Sequence, residues 1–248
     1  MAVPTSTRPE PGRVPAVARP APTPPPRPAT WALKAVMAVT GLVLVVFAVV
    51  HLVGNLKIFL GPEQLDGYAH WLHEDLLAPL VPHGWFIWIF RAVMVTSLVA
   101  HVAAGVVLRR RARAARGPYR RQGLRGLRGF QARSMLVTGA VLLFFVVFHV
   151  LDITTGTQPA ATDEFVAGQA YANIVASFQR PAVAAFYVLA IGTLTLHLAH
   201  GLWSVVNDLG ATGRRLRATG AALAGGVGLL VLVGNLLIPV AVLTGLVA

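Results

Sequence analysis

Cysteine is absent from the 248 residues. That excludes disulfides, thiolate metal sites, iron–sulfur ligation and covalent haem attachment through a C-x-x-C-H motif. Charge is scarce: 12% of residues are charged, where a soluble domain carries about 25%. Lysine is nearly missing, with two against nineteen arginines, and nine acids face twenty-one bases. A net charge of +12 would suggest nucleic acid as partner for a soluble protein. Here the basic residues fall between apolar runs, where they orient a chain in a membrane, and no nucleic-acid partner is expected. Residues 1–30 hold no apolar core of the ~7–15 residues that a secretory signal needs. Rich in Pro and Ala, they read as a disordered cytoplasmic tail in extended conformations. Alternation of period two over a whole span is also missing, which excludes a transmembrane β-barrel.

Apolar residues make up 56% of the chain. They gather in five runs, roughly 31–55, 84–108, 133–152, 181–206 and 220–246. Each is long enough to cross a ~30 Å hydrocarbon core, and helices satisfy the backbone there. The expected fold is an all-α membrane protein, a five-transmembrane-helix bundle formed by one domain over residues 31–248. Orientation follows from the bases. Arg8, Arg13, Arg19, Arg27 and Lys34 precede or open the first run. Arg109, Arg110, Arg111, Arg113, Arg116, Arg120, Arg121, Arg125, Arg128 and Arg133 lie between the second and third. Arg214, Arg215 and Arg217 lie between the fourth and fifth. Eighteen of twenty-one bases thus share one side, which predicts a cytoplasmic N-terminus and an external C-terminus in a bacterial inner membrane. The external loop 61–83 carries Tyr68, Trp71, Leu72 and Leu76 at helical spacing, predicting a short amphipathic helix in the interface.

Histidines stand out inside this apolar frame. His51, His101, His149 and His197 fall one per run in the first four, with His200 a second in the fourth. An ionisable group in lipid is costly and marks function, although a neutral histidine bonded to a neighbouring helix is an ordinary alternative. At 1.5 Å per residue, His51 lies ~25 Å and His149 ~22 Å from the basic edge. His101 and His197 lie nearer that edge, at ~12 and ~15 Å. Two facing histidines at each of two depths are what two low-spin haems require. Gly54, Gly105 and Gly201 follow His51, His101 and His197 by three or four residues. On the ligand's face they would let a flat macrocycle approach the backbone. His200 is the rival to His197; the latter is preferred because His197 and Gly201 repeat the spacing of His101 and Gly105.

Several stretches carry a resemblance: HLVGNLKIFLGPEQLDGYAHWL at 51–72, PHGWFIWIFR at 82–91, FHVLDITTG at 148–156 and YANIVASFQRPAVAAFYVLAIGTLTLHLAHGLWS at 171–204. They resemble the diheme, five-helix cytochrome b subunit of succinate dehydrogenases and fumarate reductases, over about residues 31–210. The resemblance implies a distal haem b on His51 and His149 and a proximal haem b on His101 and His197. It implies a flavoprotein and an iron–sulfur protein anchored on the cytoplasmic side, compatible with a higher oligomer of the complex. It also implies electron exchange with a membrane quinone, commonly menaquinone. The chain has no dinucleotide-binding glycine pattern, so succinate oxidation itself belongs to a partner. At the cytoplasmic face Val205-Val206-Asn207-Asp208 and Arg133-Ser134 depart from the family's pattern, and no proximal quinone pocket is carried over.

Two other readings are compatible with intramembrane histidines. One is a diheme anchor of a hydrogenase or formate dehydrogenase. The other is a transporter using histidines as a proton relay, which lacks an inverted internal repeat. Arg91 is a further candidate, ~8 Å inside the external end of the second run. Its planar fork suits a carboxylate, and a distal haem propionate is the expected partner. Snorkelling to headgroups, or pairing with Asp152 or Glu74, is the simpler alternative.

Overall fold

The computed structural model describes residues 28–117, 126–208, 210 and 213–248, with backbone alone for 126–133. The tail expected over 1–30 falls almost wholly outside the described residues, as does the middle of the Arg-rich connection. Helix α1 spans Thr30–Asn55 and tightens into a 3₁₀ turn over Leu56–Leu60. Helix α2 covers Pro62–His70, α3 Trp85–Arg116 and α4 Gly126–His149. Helix α5 is Ala170–Phe178, α6 Pro181–Asp208 and α7 Arg214–Leu243. No strand occurs among the described residues. Five helical segments, those built on α1, α3, α4, α6 and α7, are long and apolar enough to cross a membrane. The protein is a multi-pass helical membrane protein.

The spans match the apolar runs, but the helices outrun them at the basic end. α3 continues to Arg116 and α7 begins at Arg214. Hydropathy marks only the lipid-facing length, whereas a helix goes on while its backbone bonds are satisfied. Arginines favour such ends because their stems snorkel. Lys34 pairs with Asp208 at 2.8 Å, and Arg111 donates to Thr30 at 3.1 Å. These contacts gather the start of α1, the end of α6 and the far part of α3 at one end of the bundle.

Helices pack as two antiparallel hairpins, α1 on α3 and α4 on α6, with α7 lying along α6 and reaching α1. Small residues set that close seam. A methyl at Gly228 would come within 3.4 Å of Ala199, and one at Gly234 within 2.7 Å of the Leu52 side chain. Without a hydrophobic drive between helices in lipid, such close approach is what holds them together. Outward positions such as Val39, Phe144, Leu189 and Leu237 are largely exposed, as lipid-facing residues should be.

The best-buried cluster lies at the opposite end. Ile58, Leu65, Val175, Phe178, Tyr187, Ile238 and Val242 pack together there. Helix α2, with Leu65 turned inward, lies in the loop where a short amphipathic helix is expected, but of the expected face only Tyr68 falls in it; Trp71 and Leu72 follow in a π turn over Trp71–Asp75, and Leu76 is extended. Helix α2 starts where Gly61, at φ 95°, turns the chain and Pro62 supplies the first helical residue. Its neighbour α5 had no sequence-based expectation. Asp66 of α2 accepts the Tyr171 backbone N–H at the start of α5, 2.8 Å away, so the two short helices close this end as a unit.

Candidate functional site

Each hairpin contributes one histidine to each of two levels. The His51 ring on α1 meets the His149 ring on α4 at 5.9 Å between centroids, tilted by 82°. The His101 ring on α3 meets His197 on α6 at 6.4 Å and 62°. The pairs expected from depth are the pairs brought together. The backbones of α1 and α4, and of α3 and α6, are not major packing partners; across the gap between hairpins they meet through these rings.

The hydrogen bonds around the rings have a common logic. Thr40 donates its proton to the Val36 carbonyl at 2.6 Å, and its oxygen stands 3.2 Å from Nδ1 of His101. Thr138 donates to the Ser134 or Met135 carbonyl at 3.1 Å, and its oxygen stands 3.0 Å from Nδ1 of His197. Tyr187 donates to Asp152 Oδ2 at 2.9 Å, and its oxygen stands 3.2 Å from Nδ1 of His149. Each hydroxyl has committed its proton elsewhere, so it can only accept from the histidine. Nδ1 then carries the hydrogen and Nε2 keeps a free lone pair. A metal-binding imidazole is commonly held in this way. Phe47 stacks on His51 at 5.1 Å and Phe145 on His149 at 5.6 Å.

These features fit haem. A metal–imidazole bond is about 2 Å and the nitrogen sits about 1 Å from its ring centre, so two imidazoles that would hold one metal atom between them have centroids about 6 Å apart. Both observed separations lie at that value. The histidines also come in twos. Among the described residues no three His, Asp or Glu side chains gather as a metal site; His51 with His149 and His101 with His197 are the residues that would hold the iron of a bound haem.

The glycines expected to make room do not all serve that purpose. A methyl at Gly54 would meet the Tyr68 ring at 2.8 Å, and one at Gly105 would meet Met37 Sδ at 3.6 Å. Gly54 therefore seats α2, and Gly105 seats α1. Only at Gly201 does no described atom lie within 4 Å. The glycines against the histidine rings are Gly41, where an added methyl would lie 3.2 Å from His101 Cε1, and Gly139, where one would lie 3.5 Å from His197 Cε1. Both, with Thr40 and Thr138, went unnoticed in the sequence. The signal is there: Val39-Thr40-Gly41 precedes His51 by the same interval as Val137-Thr138-Gly139 precedes His149. That parallel repeat places the two levels ~16 Å apart along each helix.

Arg91 lies over the Trp88 ring at 4.7 Å and reaches Nε2 of His73 at 3.5 Å. It adjoins Phe90, whose ring meets Phe47 beside His51. The alternative pairing of Arg91 with Asp152 is overturned, because Arg180 takes that carboxylate at 2.6 Å. Ser177 and Tyr187 donate to its other oxygen at 2.5 and 2.9 Å. This buried network was also missed. Its sequence signal is an acid inside an apolar run, which must find a partner. His200 lies one turn from His197 toward the basic end, and its carbonyl accepts the Ser204 hydroxyl at 2.9 Å.

No protein-family model matches the chain. It is 28% identical over 167 residues to the succinate dehydrogenase cytochrome b558 subunit of Bacillus subtilis (strain 168). The aligned part is 67% of this chain and 73% of that protein. Over that length the chain is similar to this cytochrome b subunit. At 167 residues the match is far longer than any single histidine motif.

Proposed function

We propose that the chain is the diheme cytochrome b anchor of a succinate:quinone oxidoreductase. The observation that carries this is the pair of facing histidine couples, His51 with His149 and His101 with His197, in a relative of such a subunit. Bound haem b would supply one-electron exchange at iron. The chain's own work is to hold four Nε2 atoms toward two slots, which Thr40, Thr138 and Tyr187 do from behind three of the rings. The relative's assembly suggests the rest: a flavoprotein and an iron–sulfur subunit at the Arg-rich cytoplasmic end, and menaquinone or another quinone in the membrane. The N-terminus is then cytoplasmic and the C-terminus external. Arg91, beside the distal level, is assigned to a haem propionate.

The test is purification of the chain with whatever subunits accompany it. Two haem b per chain and a copurifying flavin-bearing subunit with succinate–quinone reductase activity are expected. Two haems with a hydrogenase or formate dehydrogenase partner would move the chain to another respiratory complex. A protein without haem absorption would defeat the redox reading.

A further inference from the structure

Three histidines are backed by hydroxyls, but the hydroxyls differ. Thr40 and Thr138 give their protons to neutral backbone carbonyls. Tyr187 gives its proton to a carboxylate, Asp152. The carboxylate is 2% exposed and the tyrosine 4%. Arg180 and Ser177 hold the acid in place, and Arg180 also donates to the Ala160 carbonyl at 2.8 Å. A charged acceptor polarises a phenol more than a carbonyl polarises a threonine. The oxygen offered to His149 is therefore the strongest of the three acceptors. The His51 ring, by contrast, is held by stacking on Phe47.

We propose that Tyr187, anchored by Asp152, is a positioning residue for the distal haem. It fixes the His149 ring with Nε2 toward the slot and, by drawing on Nδ1–H, makes that imidazole a more electron-rich ligand. Such a ligand favours ferric over ferrous iron. The inference rests on the reading of His149 as a haem ligand.

The experiment uses the full chain with its accompanying subunits in membranes, under an anaerobic redox titration of the b-type absorbance. Tyr187→Phe keeps the ring and Asp152 but deletes the acceptor. Both haems should remain, and one of the two waves should move upward while the other stays. The expected size is about tenfold in the ferrous-to-ferric ratio at fixed potential, or about 59 mV for one electron. Ser177→Ala removes a different donor to the same carboxylate oxygen, so its wave should stay or move down. If Tyr187→Phe fails to assemble, Asp152→Asn keeps the shape and weakens the polarisation, and one wave should again rise. Two unmoved waves in the assembled variant, or an equal upward move in Ser177→Ala, overturn the proposal. His149→Ala separates the two readings. Loss of one haem there with no shift in Tyr187→Phe defeats the positioning role alone. Retention of both haems defeats the ligand assignment beneath it.

Discussion

Arg180→Ala is the sharpest perturbation of the stability of the fold. The guanidinium sits 2.6 Å from Asp152 Oδ1, with the acid's side chain 1% exposed and the arginine's 31%. Removing one partner of a buried pair costs about 3–5 kcal/mol, because a charge is left without compensation. Two hydroxyls remain on Asp152, each worth about 1 kcal/mol, and the arginine is partly wet, so the lower figure applies. The expected loss is about 3 kcal/mol, a Tm decrease of about 6–12 °C for a chain of this size. Arg180→Lys keeps the charge but cannot span Asp152 and the Ala160 carbonyl together, and should lose about half as much. In Arg180→Ala with Asp152→Asn no buried charge is left unpaired, and most of the loss should return. Thermal melting in detergent, followed by helical circular dichroism, reads all three. A drop below about 3 °C in Arg180→Ala, or a double variant no better than the single, would refute the account of this network.

Gly41→Ala should disturb the His101 level more than Gly139→Ala disturbs it, since the added methyl meets His101 at 3.2 Å but His197 at 3.5 Å; haem content and the visible spectrum of each variant check the order. Lys34→Ala should change stability by less than about 1 kcal/mol, because its bridge to Asp208 is 52% and 41% exposed, and a larger drop in melting temperature would contradict that. Arg91→Gln should keep both haems and lower one potential, through loss of a positive charge that favours the reduced state; unchanged titrations would remove Arg91 from the haem environment. Arg120→Cys should be shielded from an impermeant thiol reagent added outside intact cells, and external labelling would reverse the topology.

The spans were legible because an apolar run of that length has few fates. Their basic ends were not, since Arg109 to Arg116 are polar yet helical. Helix α5 was hidden because nine residues, AYANIVASF, give too short a pattern to separate from a loop. The histidine pairing was legible from depth along each helix. Which glycine faced which ring was not: Gly54 has the right offset from His51, but Tyr68 arrives from α2 to fill the place. Asp152 could be seen to need a cation, and Arg91 lay at a similar depth. Arg180 won because α5 turns the chain back so that the residue before α6 points at the end of α4. The repeated Val-Thr-Gly was in the sequence throughout and only the threonine contacts gave it meaning.

Haem stoichiometry in a set of single alanine variants tests the central claim most directly. Purified wild-type complex should contain two haem b per chain. His51→Ala, His101→Ala, His149→Ala and His197→Ala should each lose one, and His200→Ala should keep both. Two haems in His197→Ala together with one in His200→Ala would contradict the ligand set. Two haems in all five would contradict the claim that these histidines hold the cofactor at all.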